Sequence, residues 1–295
     1  DIGFPRRLVD EIQADVELLT ASDIAPLFPP RHRSAHKGEF GHVLIIAGSE
    51  GYTGAPVLAA HAAVRAGAGL VTLAVPRSIY SIVAANCPPE VMPRPVDFEQ
   101  LGPVYFAGFD AVAIGPGLGQ QAETQKMVWK AISSCALPMV VDADALNALA
   151  QSVAALRKLK KPLVLTPHPG EMARLVGKTV AEVQASRWDM ARGFARDYHV
   201  ITVLKGAGTV VTDWAGPLWV NSTGNPGMAK GGMGDALTGI IAAFLAQRMT
   251  ALDAARAGVF LHGLAGDLTR EVLGEQAMLT TDLIEHLGAA LKAVR

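Results

Sequence analysis

The sequence predicts an α/β protein in which a mostly parallel sheet lies between two layers of helices, a three-layer sandwich. Short apolar runs that do not alternate with polar residues end in glycine-rich or polar turns, and helical stretches follow them. That order is the repeating unit of a parallel sheet covered on both faces. Half of the 295 residues are apolar but only 6% are aromatic, so the core is expected to consist of Ala, Val, Ile and Leu. No repeat or low-complexity linker divides the chain, and one large domain is predicted.

The first parallel strand and its helix are predicted around three closely spaced glycines. Residues 42–47 form a β-branched apolar run, and Gly48, Gly51 and Gly54 separate this run from an alanine-rich helix over about 55–66. Similar apolar runs predict the other parallel strands at 70–75, 111–114, 138–141, 163–165 and 200–204.

The remaining elements lie around and after these strands. An antiparallel hairpin is predicted where residues 210–212 and 218–220 flank the turn 213–216. Helices are predicted over about 123–132, 234–247, 252–273 and 281–294, with two more that begin near Ala145 and after Gly170. Before the first strand, a charged and proline-containing lead-in is expected to hold a short helix near residues 5–20.

Composition and charge exclude several classes of protein. The formal net charge is −1, which argues against a protein that wraps nucleic acid, because such proteins need a surplus of basic residues. No apolar run approaches the 18 residues that predict a membrane span. Cys87 and Cys135 are too few for a disulfide framework and are interpreted as buried thiols in a reducing compartment. A cytoplasmic location without membrane or nucleic-acid partners is therefore expected.

The strongest chemical signal is the glycine-rich stretch 224–235 immediately before a predicted helix. Glycines let backbone amides approach an anion closely, and the amides and dipole of a helix N-terminus favour negative charge. Gly231, Gly232, Met233 and Gly234 are predicted to form such an anion hole. The stretch matches neither a Walker loop nor a dinucleotide fingerprint.

Asp235 follows the predicted anion hole and falls in the first turn of the same helix. Taken alone, a carboxylate there is a common capping or first-turn residue. A carboxylate beside an anion hole would repel the ligand, however, unless it has to accept a proton from a hydroxyl that attacks phosphorus. Asp235 is therefore the candidate proton acceptor.

Polar groups that follow other strands are weaker candidates with open alternatives. Residues 205–209 can hold a nucleotide through backbone amides and a threonine hydroxyl, or form an ordinary turn. His168 lies between two prolines and can contact a substrate or be a plain surface histidine. Asp142 and Asp144 can hold water around a divalent cation or cap the following helix. His262 lies in an apolar helix and is interpreted as a satisfied core residue rather than a ligand.

Taken together, these motifs resemble the ADP- or ATP-dependent NAD(P)H-hydrate dehydratase family of the ribokinase-like superfamily. The resemblance covers about residues 20–295, with no departure at the motif positions. Seven motifs carry it, in this order: 41–49, 54–55, 115–119 (GPGLG), 142–147 (DADALN), 166–171 (TPHPGE), 205–206 and 224–235 (GNPGMAKGGMGD).

The resemblance implies a repair enzyme with a ribokinase-like fold. The family phosphorylates the ring hydroxyl of (S)-NADH or (S)-NADPH hydrate with ADP or ATP, and loss of phosphate restores NAD(P)H. It implies Asp235 as the base, residues 231–234 as the anion hole and Mg²⁺ with ligands that cannot be assigned. It also implies that the nucleotide contacts are Lys205, Gly206, Ala207, Gly208, Thr209 and Gly234. The implied substrate contacts are Ala55, Gly117, His168 and Asp235.

The resemblance also suggests how the chain is organised. Residues 1–5 are similar to the junction of bifunctional members, so residues 1–20 are expected to be a linker-like lead-in from an upstream epimerase domain. Residues 21–295 would then be the dehydratase domain. Relatives often form tetramers, and a homotetramer is expected.

Two other functions stay open at this point. A kinase of the same superfamily, acting on a vitamin-precursor alcohol such as hydroxymethylpyrimidine or hydroxyethylthiazole, would share the anion hole and Asp235. A nucleotide sensor without catalysis would bind nucleotide and tolerate loss of the Asp235 carboxylate. The segments 115–119 and 166–171 favour a large dinucleotide substrate over a small alcohol.

Overall fold

A ten-stranded sheet forms the middle of the protein. The computed structural model describes residues 5, 7, 14–97 and 100–295. The strands described are β1 Val16–Leu19, β2 His42–Ile46, β3 Leu70–Pro76, β4 Val91–Val96, β5 Ala111–Ile114, β6 Met139–Val141, β7 Leu163–Leu165, β8 Ile201–Leu204, β9 Val210–Thr212 and β10 Leu218–Asn221. Their order is β1-β10-β9-β8-β7-β6-β5-β2-β3-β4. Among these strands β9 alone is antiparallel to its neighbours, which confirms the mostly parallel sheet.

Helices cover both faces of the sheet. The α-helices described are α1 Ala21–Ile24, α2 Gly54–Arg65, α3 Tyr80–Asn86, α4 Ala122–Ser134, α5 Ala143–Ala150, α6 Pro169–Val176, α7 Val180–Ala185, α8 Arg187–Tyr198, α9 Met233–Ala246, α10 Ala251–Ala277 and α11 Thr280–Ala293. Short 3₁₀ helices lie at Ala25–Leu27, Lys37–Phe40, Arg77–Ile79, Pro103–Phe106, Val153–Lys158 and Pro226–Met228. In the part of the chain that the structure describes, no helix is both long and apolar enough to cross a bilayer.

Side chains of alternate strand residues divide the core into two halves. On β2, Val43 and Ile45 belong to the half beneath α2, α9, α10 and α11, whereas Leu44 and Ile46 belong to the half beneath α4, α5, α6 and α8. Because both faces are buried, every position of such a strand can be apolar. This confirms the three-layer sandwich.

Close packing fixes the helix that follows the glycine-rich loop. Helix α9 approaches α2 at Gly239, where a Cβ would lie 1.9 Å from the carbonyl oxygen of Ala59. Only glycine allows this approach. The N-terminus of α9 is therefore held at a fixed depth against the sheet.

The predicted elements are largely confirmed, but one prediction is wrong, and strand β4 and helices α1, α3, α7 and α8 have no predicted counterpart. The predicted hairpin is β9 and β10, and the helix predicted over 234–247 is α9. The short helix predicted near 5–20 is wrong at Val16–Leu19, because these residues pair with β10 as strand β1. Residues 6 and 8–13 of that prediction lie outside the described residues. The edge strand β4 escaped prediction because Pro93 and Pro95 interrupt its pattern, and proline is tolerated in an edge strand.

Candidate functional site

The carboxyl ends of β6, β7 and β8 meet two adjoining clefts. The first, called the loop cleft here, has a volume of about 540 Å³ and is lined mainly by residues 205–209 and 221–226. The second, called the acid cleft, has a volume of about 530 Å³ and contains the side chains of Asp142, His168, Glu171 and Asp235. Lys205, Gly206 and Gly234 line both clefts. Ligands in open α/β sheets bind at this edge.

A buried ion pair joins the two clefts. The Nζ atom of Lys205 lies 2.7 Å from Oδ1 of Asp142, whose side chain is 1% exposed. The hydroxyls of Thr166 and Thr238 donate to the two Asp142 oxygens, each at 2.8 Å. Asp142 therefore neither caps helix α5 with its side chain nor has an oxygen without a donor.

Asp144 is likewise bonded within the protein. It lies in the first turn of α5, and its Oδ2 accepts the backbone N–H of Gly119 at 2.9 Å. Its Oδ1 accepts weaker bonds from Gln120 and Asn147 at 3.3 and 3.4 Å. Asp144 thus ties the loop after β5 to the helix after β6.

Asp235 lies in the first turn of α9, half-buried against the acid cleft. Helix α9 begins after Gly232, and no side chain caps it, so the capping alternative for Asp235 is not seen. Burial, together with the negative charge of Asp142, raises the pKa of Asp235 to about 7, although Lys205 opposes the shift. A carboxylate with that pKa can accept a proton near neutral pH.

The predicted anion hole forms a tight turn at the N-terminus of α9. Gly232 has φ of +91°, and a Cβ there would lie 2.5 Å from Cδ1 of Leu58, so glycine is required on both grounds. The turn is held by Thr280, whose hydroxyl donates to the Gly231 carbonyl at 3.0 Å. The first amides of a helix have no acceptor within it. Here those amides adjoin Asp235 at the junction of the two clefts.

The predicted nucleotide loop, residues 205–209, closes on itself. The Thr209 hydroxyl donates to the Gly206 carbonyl at 2.9 Å and accepts the Gly206 N–H at 3.2 Å. Arg187, which the sequence analysis missed, donates to the Leu204 carbonyl at 3.0 Å from the other side. Nothing in the sequence indicates this contact, because Arg187 lies on a separate helix.

Two of the predicted substrate contacts form their own cluster. A Cβ on Gly117 would lie 3.1 Å from Cβ of Ala55 and 2.9 Å from Cβ of Tyr52. The Ser49 hydroxyl donates to the Gly117 carbonyl at 2.8 Å. Ala55 and Gly117 thus meet each other but line neither cleft. The loop of Gly117 connects to the acid-cleft side through the bond of Gly119 to Asp144.

The third predicted contact, His168, lines the acid cleft and also caps helix α6. Its Nδ1 accepts the N–H groups of Gly170 and Glu171 at 2.9 and 3.3 Å, so this nitrogen carries no proton. Burial, and secondarily the charges of Lys205 and Arg174, lower the pKa of His168. The proton of the neutral ring is therefore on Nε2, which lies 3.4 Å from Oε1 of Glu171.

Glu171 is a buried acid that the sequence analysis did not single out. It is 5% exposed, and its Oε2 accepts the backbone N–H of His168 at 2.8 Å and lies 3.9 Å from Nζ of Lys205. Burial, with a smaller contribution from Asp142, raises the pKa of Glu171 to about 7, against the effect of Lys205. The Thr-Pro-His-Pro-Gly-Glu motif contains this residue, but its burial is a tertiary property.

His262 lines the loop cleft and is not the satisfied core residue that was predicted. It is 8% exposed, and its Nε2 has no hydrogen-bond partner. Burial lowers the pKa of His262 to about 4, although the nearby Met233 carbonyl favours the charged ring. His262 is therefore a neutral group at neutral pH.

Within the described residues, no three His, Cys, Asp or Glu side chains converge in a way that could hold a metal ion. The donors of Asp142 are already Lys205 and two threonines. Its oxygens are therefore not free to act as metal ligands.

The fold and the clefts define a ribokinase-like α/β protein. A crystal structure of ADP/ATP-dependent NAD(P)H-hydrate dehydratase from Bacillus subtilis, co-crystallised with ATP and Mg²⁺, superposes with a TM-score of 0.84. It is 31% identical, and the match covers 95% of this chain and 99% of that one. Hydroxyethylthiazole kinase from Pyrococcus horikoshii, with a TM-score of 0.58 and 18% identity, shares the fold alone.

Sequence comparison defines the family. The profile described as NAD(P)H-hydrate dehydratase matches residues 43–288, so the chain belongs to the NAD(P)H-hydrate dehydratase family. The ADP-dependent (S)-NAD(P)H-hydrate dehydratase of Neisseria meningitidis is 38% identical over 89% of this chain and 88% of its own length. The bifunctional NAD(P)H-hydrate repair enzyme Nnr of Moorella thermoacetica is 44% identical over 99% of this chain, which spans 57% of that relative's length.

Proposed function

We propose that the chain catalyses the dehydration of (S)-NADH or (S)-NADPH hydrate with ADP or ATP as the phosphoryl donor. The observation that carries the proposal is the carboxylate of Asp235, poised to accept a proton beside the amides of the α9 N-terminus. Hydroxide is a poor leaving group and phosphate is a good one. Transfer of a phosphoryl group to the ring hydroxyl therefore makes dehydration feasible at neutral pH.

Asp235 takes the hydroxyl proton as the hydroxyl oxygen attacks phosphorus in the proposed reaction. The amides of residues 231–234 receive the negative charge of the transferred group, as helix N-termini do for phosphates. Lys205, held by Asp142 at the junction of the clefts, adds positive charge near the phosphates. The turn at Gly231 is held by Thr280 and Lys205 is held by Asp142 before the nucleotide arrives, and such preorganised groups are the condition for electrostatic catalysis.

The loop cleft would hold the nucleotide. Residues 205–209 offer backbone amides and the Thr209 hydroxyl, and Gly234 connects them to the anion hole. Mg²⁺ would be held by phosphate oxygens and water and would neutralise charge on the donor. Ala55, Gly117 and His168 are proposed as contacts to the hydrated dinucleotide, with the ring hydroxyl placed at Asp235.

The direct test is incubation of the protein with hydrated NADH and ADP or ATP while the absorbance of the reduced cofactor is followed. We expect absorbance to return, with one AMP or ADP and one phosphate formed per molecule repaired. A kinase of a vitamin-precursor alcohol would instead accumulate a phosphorylated alcohol without any recovery of absorbance. If the protein binds nucleotide but shows neither activity, it is a nucleotide sensor.

We also propose three features of the whole protein that rest on sequence. The upstream epimerase domain is proposed because the bifunctional relatives are longer than this chain and because residues 1–5 resemble a junction. A homotetramer is proposed because relatives often form tetramers. A cytoplasmic location is proposed because the two cysteines are free thiols. Sequencing the upstream reading frame tests the epimerase domain, and analytical ultracentrifugation tests the tetramer.

A further inference from the structure

Dehydration through a phosphate ester requires two proton acceptors, and the proposed function supplies only one. The first proton leaves the ring hydroxyl during phosphoryl transfer and goes to Asp235. The second leaves the neighbouring ring carbon when phosphate departs, because a new double bond needs the electron pair of that C–H bond. Asp235 is already protonated at this stage. The carbon-bound proton must then go either to a second protein group or to the departing phosphate.

Most polar groups near Asp235 are committed to other bonds. Both oxygens of Asp142 accept from threonine hydroxyls, and one also pairs with the ammonium group of Lys205. His168 cannot accept a proton without losing its capping bonds, since Nδ1 receives two backbone N–H groups and Nε2 carries the ring proton. Asp144 accepts from the loop after β5 and does not line the acid cleft.

Glu171 lines the acid cleft and is only partly committed, because Oε2 accepts the His168 N–H whereas Oε1 accepts no backbone bond from the described residues. Its surroundings also differ from those of a glutamate that only caps a helix. Helices α6 and α7 begin with the same capping box, formed by His168 with Glu171 and by Thr179 with Glu182. Glu182 is exposed, and its bonds to the amide and hydroxyl of Thr179 lower its pKa. Glu171 is buried in the acid cleft, where burial raises its pKa. Capping alone does not require that burial.

The charges around Glu171 also leave room for a proton. Asp142, Asp235, Lys205 and Lys230 line the same cleft. His168 lies at the boundary of the helix that contains Glu171, and Arg174 lies one turn further along α6. The Nζ atom of Lys205 lies 2.7 Å from Oδ1 of Asp142 but 3.9 Å from Oε2 of Glu171. Lys205 therefore pairs mainly with Asp142. Burial outweighs the charge of Lys205, so the Glu171 carboxylate gains by taking up a proton.

We propose that Glu171 accepts the proton from the ring carbon next to the phosphorylated carbon. The C–O bond breaks with its electron pair going to phosphate, the C–H bond breaks with its pair forming the ring double bond, and the proton goes to Glu171. Of the two protons now on Asp235 and Glu171, one ends on the released phosphate and the other goes to solvent. No oxidant, reductant or further reactant is needed.

The test separates the two halves of the reaction in Glu171→Gln, which keeps the capping geometry. In a rapid-quench single turnover, with the nucleotide donor that supports the parent protein, we expect donor cleavage within about threefold of the parent rate. Return of the reduced-cofactor absorbance should be slowed at least about 30-fold, so that the phosphorylated hydrate accumulates. Glu171→Asp, which keeps a carboxylate, should restore most of the second step. In Glu171→Gln, replacing the transferred hydrogen on the ring carbon by deuterium should slow the second step further.

Matched controls identify the alternatives. Glu182→Gln alters the same capping position outside the cleft and should leave both steps unchanged, whereas Asp235→Asn should block donor cleavage itself. Parental rates for both steps in Glu171→Gln would overturn the proposal and indicate that the departing phosphate takes the proton. Equal slowing of both steps would also overturn it and assign Glu171 to structure. Absence of donor cleavage and of recovered absorbance in the parent would contradict the proposed function instead.

Discussion

The two adjoining clefts are lined by different kinds of chemical groups. The loop cleft is lined by backbone, hydroxyl and amide groups together with apolar side chains such as Leu237 and Val259, and its titratable ring, His262, is held neutral. The acid cleft is lined by Asp142, Glu171 and Asp235 around one shared cation, Lys205. The first arrangement can hold a nucleotide with little change in protonation. The second can hold and move protons.

The two clefts meet at Gly234 and Lys205, which line both of them. Phosphoryl transfer needs the donor phosphate and the acceptor hydroxyl on either side of one point. Gly234 has no side chain there, and a Cβ would lie only 3.3 Å from Nζ of Lys205. In the proposed reaction, binding and proton transfer would be separated in space but would share the amides and the ammonium group between the clefts. Substitutions on the two sides should therefore have separable effects.

The largest effect is expected for Asp235→Asn. Loss of a positioned base typically costs 10²–10⁴-fold, and we expect dehydration to fall at least about 100-fold. Nucleotide affinity should stay nearly unchanged, because the amides of the loop cleft are untouched. Turnover measured beside calorimetric titration with nucleotide checks both parts. Activity within a few-fold of the parent would remove Asp235 from its proposed role.

A substitution at the junction, Lys205→Met, should affect both clefts. It leaves Asp142 buried with only two threonine donors, and loss of one partner of a buried ion pair commonly costs about 3 kcal/mol of stability. We also expect nucleotide affinity to fall about tenfold, since roughly 1.4 kcal/mol of phosphate interaction is lost. Chemical denaturation and nucleotide titration measure the two effects.

A double variant separates these effects of Lys205. Adding Asp142→Asn removes the unpaired charge, and we expect most of the stability to return while nucleotide affinity stays low. Lys178→Met, at an exposed lysine, is the matched control and should change neither quantity. Recovery of affinity together with stability would show that Lys205 acts on the nucleotide only through the fold.

The sequence predicts the loop cleft better than the acid cleft. Glycine-rich segments such as 205–209 and 231–234 can be recognised from the local sequence, because the conformation that exposes their amides depends on the residues themselves. The parallel sheet is equally readable from its uniformly apolar strands. Strand β1 was mistaken for part of a helix because its edge position depends on pairing with β10, which lies about 200 residues away along the chain.

The acid cleft depends on burial, which short sequence patterns do not encode. Glu171 and Glu182 occupy the same position of the same capping box, yet one is buried and the other exposed. His262 was read as a satisfied core residue because its helix is apolar, while the structure leaves Nε2 without a partner at the cleft wall. The pairing of Lys205 with Asp142 joins two strand ends 63 residues apart. Such contacts follow from the assembled sheet.

Asp235→Asn should also reveal how the acid cleft lowers stability. The folded-state pKa of about 7 lies above the ordinary value of 3.8, so the folded protein binds the extra proton between these values. Stability of the parent therefore falls as pH rises through this window. The stability of the variant relative to the parent should therefore rise by about 3 kcal/mol between pH 5 and pH 8. A difference independent of pH between denaturation curves would contradict the raised pKa.

The smallest effect is expected for His262→Leu in the loop cleft, with the opposite dependence on pH. Here the folded-state pKa of about 4 lies below the ordinary 6.5, so the unfolded chain binds more protons in that window. Stability of the parent is then present above pH 6.5 and is lost as pH falls toward 4. Relative to the parent, the variant should gain about 2 kcal/mol between pH 7 and pH 5. His32→Gln, at an exposed histidine, should show no such gain in parallel denaturation curves, and an equal gain in both variants would mean that the burial of His262 is not responsible.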